Sequence, residues 1–343
     1  MKNVLTGRVR WGVLGTSRIA TKHTIPAMRQ SGHCRVVAIA SRTLDKARVA
    51  AHAAGIERYY GSYEELLTDK DVEAVYVPLP NTMHVEWSLN ALAAGKHVLC
   101  EKPIATTAAE AQKLVEARNR TGLLIEEGFP FVNHPQWDFI RRAIKAGEIG
   151  KVRAVTAVIG FNANNPEDLR NNPEQGGGSL YDVGCYPINA CRIVFDAEPV
   201  AAVGLFEMDP VFRIDRLTSA ILAFPQGHAT LTASTQAGPA TDGSHQHLGI
   251  LGSAGWMRAE FPFSHPVPTS CRVYIGDASA IGSLPTRERV FPALNQYQLQ
   301  AECFSRLVRG ETAAAWPIES SVANMRVIDA LFRSRTSGAW QSI

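Results

Sequence analysis

The chain has 343 residues, of which 45% are hydrophobic and 20% are charged. At about 150 residues per domain this length predicts two domains, and the composition excludes intrinsic disorder and a collagen-like structure. Lys and Arg number 35 against 32 Asp and Glu, which gives a net charge of +3, and the basic residues are scattered along the chain. We therefore expect neither nucleic acid nor a membrane as a partner.

The start of the chain, the cysteines and the histidines bear on location and metal binding. Residues 1–7 run into an apolar segment without the hydrophobic stretch of a signal peptide, so we expect a cytoplasmic protein. The six cysteines lie far apart with no C-x-x-C pair, which favours reduced, buried thiols over disulfides or a zinc site. His245 and His247 alternate on a predicted strand without a third ligand, so we predict a surface pair and no metal.

In the first part of the chain, short apolar runs alternate with segments of helical spacing. This alternation predicts β-α-β units and a doubly wound parallel sheet, an α/β fold, over residues 1–127. The predicted strands are 9–14, 36–40, 74–78, 97–100 and 123–126. The predicted helices are 19–30, 44–54, 83–94 and 107–120, with a short amphipathic segment at 63–67.

The remainder of the chain, 128–343, has longer β-rich runs joined by turns. Such runs are typical of an open, mainly antiparallel sheet, and we predict an α+β domain whose C-terminal helices are able to pack back on the first domain. The predicted strands are 152–161, 200–206, 219–224, 229–234, 247–252, 256–261 and 272–275. The predicted helices run from the glycines at 176–178 to Phe195, over about 297–309 and over about 319–335.

The first strand, turn and helix fit a dinucleotide-binding fingerprint. Gly15, Ser17 and Ala20 occupy the three small-residue positions, with serine in place of the second glycine. A helix follows whose N-terminus can face phosphate, so we favour cofactor binding over a structural turn. The second strand ends in Ala-Ser-Arg-Thr without the acid that accepts the ribose hydroxyls of NAD, and Arg42 can pair with a phosphate. We therefore predict NADP in preference to NAD, with a solvated surface arginine as the alternative.

A lysine follows another predicted strand. Lys102, in Glu-Lys-Pro, comes at a carboxyl end, where ligands of open α/β sheets bind. The tripeptide is common, and its position in the β-α series is what indicates a role in proton exchange. His84 lies either near the nicotinamide or at a helix cap, and Arg170 is either a substrate contact or a solvated loop residue.

Six segments in order resemble one enzyme family. They are GTSRIA (15–20), PNTMH (80–84), AGKHVLCEKP (94–103), GGGSLYDVG (176–184), GSAG (252–255) and NQY (295–297). The chain resembles the glucose-fructose oxidoreductase, inositol dehydrogenase and rhizopine-catabolism (Gfo/Idh/MocA) oxidoreductases over nearly its whole length. The resemblance implies a Rossmann domain and an open-sheet domain, NAD(P)-dependent hydride transfer on a sugar-like alcohol or ketone, Lys102 as a catalytic residue, and a homodimer or homotetramer.

One position points to a branch of that family. Common members carry histidine four residues after the aspartate of the glycine-rich helix, whereas this chain has Tyr186. It thus resembles the branch with glucose-fructose oxidoreductase, NADP-dependent D-xylose 1-dehydrogenase and trans-1,2-dihydrobenzene-1,2-diol dehydrogenase, in which a lysine and a tyrosine share the proton chemistry. Segment 126–136 is similar to the same branch except at Pro130 and Asn133. Asp182, Tyr186 and Asn189 also stand at helical spacing on one face, enough to hold a polyol, although a buried aromatic with a structural aspartate is the alternative.

These observations predict an NADP(H)-dependent dehydrogenase acting on a cyclic polyol or diol, foremost an aldopyranose such as D-xylose or D-glucose oxidised at C1. The alternatives are a reductase of a keto-sugar, including a nucleotide-linked one, a dihydrodiol dehydrogenase, and a non-enzymatic NADP(H) sensor. The predicted catalytic residues are Lys102, Tyr186 and Asp182, and the predicted substrate contacts are these three with Asn189 and Arg170. The predicted cofactor contacts are Gly15, Thr16, Ser17, Arg18, Ile19, Ser41, Arg42, Lys46, Pro80, Asn81, His84, Glu101 and Lys102.

Overall fold

The computed structural model describes residues 7–238, 243–265, 269–282, 284–314 and 316–343. It divides into two compact units, Met1–Asn133 with Asn295–Val322, and His134–Leu294 with Ala323–Ile343. Domains 1–127 and 128–343 stay a prediction. The units differ from them because the helical turn Pro130–Asn133 and the helix Gln296–Val308, which contact each other, both belong to the first unit.

The helices and strands follow the predicted order along the chain. The strands are β1 (Val9–Leu14), β2 (Cys34–Ala40), β3 (Arg58–Tyr60), β4 (Ala74–Val77), β5 (His97–Glu101), β6 (Ile125–Gly128), β7 (Val152–Gly160), β8 (Ala201–Met208), β9 (Asp215–Phe224), β10 (Gly227–Ser234), β11 (His245–Gly252), β12 (Gly255–Ala259), β13 (Cys271–Asp277), β14 (Arg287–Phe291) and β15 (Gln341–Ser342). The helices are α1 (Ile25–Gln30), α2 (Leu44–Ala54), α3 (Tyr63–Thr68), α4 (His84–Ala93), α5 (Ala108–Thr121), α6 (Pro135–Lys145), α7 (Cys185–Phe195), α8 (Gln296–Val308) and α9 (Ile318–Ser337). The strands β3, β14 and β15 and the helix α6 were not predicted.

The first unit is built on a six-stranded parallel sheet with the order β3-β2-β1-β4-β5-β6. The order changes direction between β1 and β4, which creates a crevice at the carboxyl ends of the strands. The segments after β1, β2, β4 and β5 therefore lie along one edge of the sheet. These segments contain most of the predicted cofactor contacts and Lys102, and the doubly wound α/β prediction is confirmed.

The core of this unit includes a helix from near the end of the chain. The fully buried Trp11 of β1 packs against Phe304 of α8, with ring centroids 5.4 Å apart, and its Nε1 donates to Ser305 Oγ at 3.1 Å. Burial of an aromatic side chain contributes about 1.5–3 kcal/mol. The return of α8 to the Rossmann sheet is thus driven by apolar burial.

The second unit contains a nine-stranded sheet with the order β14-β13-β12-β11-β7-β10-β9-β8-β15. Its described strand pairs are antiparallel except for β7 with β10. Side chains alternate between a buried face, where α7 contacts β7 and β10, and an exposed face. In β9, for example, Ala220 and Leu222 are buried while Ile221 is exposed. In the described part of the chain, no helix combines the length and hydropathy needed to cross a bilayer.

Candidate active site

The turn after β1 has the geometry of a dinucleotide-binding loop. Gly15 has φ of +111°, a backbone conformation that favours glycine, and a Cβ added here would lie 2.9 Å from Leu79 Cδ2. Ser17 Oγ accepts the Ala20 N–H at 3.4 Å, and Ala20 is fully buried, as close helix–strand packing at the third fingerprint position requires. Thr16, Arg18 and Ile19 lie in or beside the start of the first helix, whose N–H groups favour phosphate. These residues fit a dinucleotide.

The end of β2 presents a cation beside a buried hydroxyl residue. Ser41 is 5% exposed, and its N–H donates to Tyr60 O at 3.2 Å. Arg42 is exposed, as is Lys46, and the Lys46 N–H donates to Thr43 Oγ1 at 3.4 Å as part of the cap of α2. Burial raises the pKa of Tyr63, and the charge of Arg42 opposes this rise, so the guanidinium lies near that ring. Residues 41–43, directly after β2, include no acid, in line with the sequence prediction.

Lys102 directly follows β5 and is half-buried. Its N–H donates to Glu101 Oε2 at 3.3 Å, and Glu101 Oε1 accepts the hydroxyl of Tyr76 at 2.5 Å. Burial and the adjacent carboxylate raise the pKa of Tyr76 well above its usual value, so the phenol stays protonated and donates. Thr24 Oγ1 in turn donates to the Tyr76 hydroxyl at 3.0 Å. A buried chain of hydrogen bonds thus links the helix after the dinucleotide turn to the backbone of Lys102.

The two residues after Lys102 are also bonded to buried side chains. The bond between Lys102 and Pro103 is a cis peptide. Pro103 O lies 2.7 Å from His84 Nδ1, and the Ile104 N–H donates to Glu127 Oε1 at 2.8 Å. His84 Nε2 lies 2.8 Å from Leu79 O.

His84 is 1% exposed, and burial lowers the pKa of its imidazole to about 4. Both of its ring nitrogens face backbone carbonyls. A contact between His84 and the cofactor stays a prediction, and the burial of the imidazole does not favour it. Pro80 and Asn81, which precede α4, are half-buried at the same edge of the sheet.

In the second unit, the structure brings together two predicted substrate contacts. Arg170 Nε donates to Asp182 Oδ2 at 2.7 Å, and Arg170 also pairs with Asp168 at 3.2 Å. The Asp182 carboxylate raises the pKa of Arg170 above its usual value. The Asp182 side chain is only 14% exposed, so the guanidinium compensates a largely desolvated carboxylate and fixes its orientation.

The helix that carries Asp182 is not a regular α-helix. A widened turn, Leu180–Gly184, precedes α7, and Pro187 lies just beyond it without an N–H to donate. Tyr186 is half-buried, with its ring 6.1 Å from that of Phe263. Asn189 is fully buried, and neither atom of its amide has a hydrogen-bond partner among the residues that the structure describes. The predicted substrate contact of Asn189 stays a prediction, and its burial places it behind the exposed surface.

The glycines before this helix are explained by packing within the unit. A Cβ on Gly177 would lie 2.5 Å from Arg170 O, and one on Gly178 would clash with Asp215 Oδ1. The buried Asp215 carboxylate accepts hydrogen bonds from Ser179 Oγ and the Leu180 N–H, both at 2.7 Å. These glycines therefore allow the Arg170 loop and Asp215 to approach the start of the helix.

A buried group of His134, His265 and Cys271, which the sequence analysis did not single out, has ligand atoms within 4.8 Å of one another. The two imidazole rings stack with centroids 3.8 Å apart and planes inclined by 15°. A metal binds in the plane of each imidazole at about 2.1 Å, and two nearly parallel planes share no such point. His134 Nδ1 also accepts the Gln136 N–H at 3.2 Å, which leaves the proton of the neutral ring on Nε2. This group therefore lacks the geometry of a metal site. Among the described residues, His245 and His247 join no group of three ligands.

Comparison with known proteins identifies the family. A model of an oxidoreductase family with an NAD-binding Rossmann fold matches residues 9–129, and the Gfo/Idh/MocA C-terminal domain matches residues 137–258. An uncharacterised oxidoreductase of Rhizobium meliloti is 43% identical over 336 residues, which are 98% of this chain and 99% of that protein. The chain belongs to the Gfo/Idh/MocA oxidoreductase family. The predicted resemblance is thereby confirmed.

Two further Gfo/Idh/MocA relatives have named activities. A D-xylose 1-dehydrogenase (NADP(+)) of Haloferax volcanii is 33% identical over 96% of this chain and 98% of its own length. The crystal structure of a 3-ketoreductase from Actinomadura kijaniata with NADP and TDP-benzene superposes with a TM-score of 0.86 at 30% identity, covering 95% of this chain and 98% of that one. The chain is thus an oxidoreductase with an NAD(P)-binding Rossmann domain, as predicted, and its relatives act on sugar-type substrates.

The candidate site residues of this Gfo/Idh/MocA protein are thus found in both units. The first unit holds the dinucleotide turn, Arg42 and Lys102 at one edge of the parallel sheet, and the second holds the Arg170–Asp182 pair and Tyr186. The roles of these residues stay predictions. The sequence analysis missed Tyr76 and Glu127, although an acid directly after an apolar strand is a signal that could have pointed to Glu127.

Proposed function

We propose that this protein is an NADP(H)-dependent oxidoreductase that oxidises an aldopyranose of the D-xylose or D-glucose type at C1. The observation that carries the proposal is the position of Lys102 at the carboxyl edge of the Rossmann sheet, in a chain 33% identical to an NADP-dependent D-xylose 1-dehydrogenase over 96% of its length. The presence of Tyr186 where common family members have histidine supports the same branch.

The preference for NADP rests on the end of β2. Ser41 and Arg42 take the place where NAD-dependent enzymes carry an acid for the ribose hydroxyls. The exposed guanidinium of Arg42 has the planar donors that bind a 2′-phosphate, and Lys46 adds a second cation on the first turn of α2.

The chemistry needs a hydride acceptor and a proton acceptor. The oxidised nicotinamide, when bound, supplies the acceptor for the hydride that leaves C1. As the C1–H bond breaks and the lactone C=O bond forms, the hydroxyl proton must also leave, and we assign its removal to Lys102 and Tyr186. Asp182, oriented by Arg170, is assigned to the sugar hydroxyls, where a carboxylate accepts hydrogen bonds.

A second candidate is the reduction of a keto-sugar, including a nucleotide-linked one. It is favoured by the structural similarity to the Actinomadura kijaniata 3-ketoreductase, at a TM-score of 0.86. Structures of that enzyme also exist with a lysine replaced by alanine and with a tyrosine replaced by phenylalanine. The same lysine and tyrosine chemistry run in reverse would supply the proton to the new hydroxyl.

Initial rates separate the two candidates. NADP⁺ and NAD⁺ are tested in parallel with D-xylose, D-glucose, inositols and a cyclic dihydrodiol, and nicotinamide reduction is followed by absorbance. Turnover of an aldopyranose with NADP⁺ preferred supports the proposal. A protein that binds NADPH tightly but oxidises none of these compounds contradicts it and favours the ketoreductase.

We also propose a homo-oligomer. Large apolar side chains are exposed on the open face of the second sheet, among them Leu205 at 78% and Ile221 at 40%. Apolar side chains grouped on one open sheet face are typical of surfaces that associate. Light scattering after size exclusion tests this, and a monomer at micromolar concentration would contradict it.

A further inference from the structure

Residues 102–104 directly follow β5. In each of them a backbone polar group is hydrogen-bonded to a buried side chain or faces one. The Lys102 N–H donates to Glu101, Pro103 O faces His84, and the Ile104 N–H donates to Glu127. Glu101 is 8%, His84 1% and Glu127 3% exposed. The side chains come from β5, α4 and β6, so different elements fix one short segment.

Such a segment has little freedom to move. A buried backbone group that loses its partner costs about 1–3 kcal/mol, so each contact opposes displacement of the chain around Lys102. The Lys102 side chain extends from this backbone, so the position of its amine depends on the position of the segment. A displacement of about 1 Å in a catalytic group can lower a rate by roughly 100-fold.

We propose that His84 and Glu127 are positioning residues, which place Lys102 for proton transfer by holding the backbone of Pro103 and Ile104. This inference rests on the proposed function, in which Lys102 is catalytic. Neither residue itself needs to touch the substrate or the cofactor.

His84 has a second connection, to the loop after β4. Its Nε2 lies 2.8 Å from the carbonyl of Leu79, and the side chain of Leu79 occupies the space that a Cβ on Gly15 would need. The imidazole therefore lies between the loop that packs on the dinucleotide turn and the segment that carries Lys102. A neutral ring has one N–H and can donate to only one of the two carbonyls at a time.

The two contacts of His84 can be separated by substitution. An Asn side chain places an amide N–H near the position of Nδ1, and a Gln side chain places it near that of Nε2. His84→Asn should supply an N–H to Pro103 O, whereas His84→Gln should supply one to Leu79 O only. If the Pro103 contact positions Lys102, His84→Asn retains a kcat at least tenfold higher than His84→Gln.

Glu127 has a matched control in its neighbour. Glu127→Met removes the acceptor for the Ile104 N–H at similar size, and Glu127→Gln retains an acceptor. Glu126 is buried at 9% exposure in the same strand and points to the opposite face. We expect Glu127→Met to lower kcat 10- to 100-fold, Glu127→Gln to lower it less than fivefold, and Glu126→Met to leave it unchanged.

The experiment measures kcat, KM and the pH profile of kcat with the best aldopyranose of the panel, and NADPH affinity by fluorescence. For Glu127→Met we expect NADPH affinity within threefold of the parent and a displaced pH midpoint of kcat, which a merely structural role would not move. Lys102→Met is the reference. If Lys102→Met keeps full turnover, the proposed function fails and the inference falls with it.

If Lys102→Met abolishes turnover while Glu127→Met and both His84 variants keep the parental kcat and pH profile, the inference alone fails. Should Glu127→Met not fold, as judged by thermal unfolding and loss of NADPH binding, the comparison of His84→Asn with His84→Gln decides. Equal kcat values for these two variants would overturn the role of the Pro103 contact.

Discussion

Replacing Glu126 by glutamine should stabilise the protein increasingly as the pH rises. Glu126 lies in β6 at 9% exposure, and its Oε1 has no hydrogen-bond partner in the described part of the chain. Burial raises the pKa of this carboxyl to about 8. Because the folded-state pKa exceeds the usual value of 4.5, folding favours the protonated acid. The stabilisation is complete below pH 4.5 and is lost as the pH rises to about 8.

The size of the effect follows from the two pKa values. Each tenfold difference in proton affinity corresponds to about 1.4 kcal/mol, so ionisation of Glu126 should lower the free energy of unfolding by roughly 3 to 4 kcal/mol between pH 5 and pH 8. Glutamine does not titrate and removes this loss. The difference in stability between Glu126→Gln and the parent should therefore grow by about that amount over the same range.

Urea unfolding followed by tryptophan fluorescence at pH 5, 6, 7 and 8 measures this difference. The matched control is Glu116→Gln on α5, where the side chain is exposed and replacement should leave the difference flat. A Glu126→Gln difference that stays within about 1 kcal/mol across the range would refute the reasoning, because it would mean that the carboxyl is ionised in the folded protein at low pH.

Three further predictions concern the proposed site. Arg42→Ala should raise the KM for NADP⁺ roughly 10- to 100-fold, the value of a charge-assisted bond to phosphate, and leave that for NAD⁺ within twofold; equal effects in initial-rate assays would contradict the assignment. Gly15→Ala should weaken NADPH binding at least tenfold by fluorescence titration, because of the φ of +111° and the contact with Leu79. Gly32→Ala, where the added Cβ meets no described residue within 4 Å, should not weaken it. Tyr186→Phe should lower kcat about 100-fold, within the range of general acid-base catalysis, with KM little changed; a KM effect alone would show a binding role.

Periodicity predicted the first unit closely. β1 and α2 have the predicted bounds, and the N-cap of α5 is Thr107, whose hydroxyl accepts the Glu110 N–H. Buried parallel strands read as continuous apolar runs, so their sequence pattern is strong. β14 was missed because Arg287–Phe291 is a charged, largely exposed edge strand without an apolar alternation.

The geometry of α7 and of the widened turn before it could not be predicted from residue spacing alone. Asp182, Tyr186 and Asn189 share a face only if each residue advances the helix by the same angle. The widened turn Leu180–Gly184 changes that angle, and Asn189 is fully buried whereas Tyr186 is half-buried. Pro187 was the available signal, because a proline removes an N–H from the helix, as Pro26 does after the similar turn Ala20–Thr24.

Contacts between distant segments were also beyond the sequence. The role of His84 between two carbonyls depends on loops after β4 and β5 that meet only in the folded sheet. In the same way, the glycines at 177 and 178 are required by Arg170 and Asp215, which no local pattern connects to them. Local patterns thus predicted elements and candidate residues, and tertiary packing determined which of them are buried.

The most direct test of the account compares the parent with Lys102→Met in the same initial-rate panel, with NADPH affinity measured for both. We predict turnover of one aldopyranose with NADP⁺ by the parent, and a loss of at least 100-fold in kcat for Lys102→Met with NADPH affinity within threefold, since general acid-base catalysis contributes roughly 10²–10⁴-fold. Retention of the parental kcat by Lys102→Met would contradict the central claim.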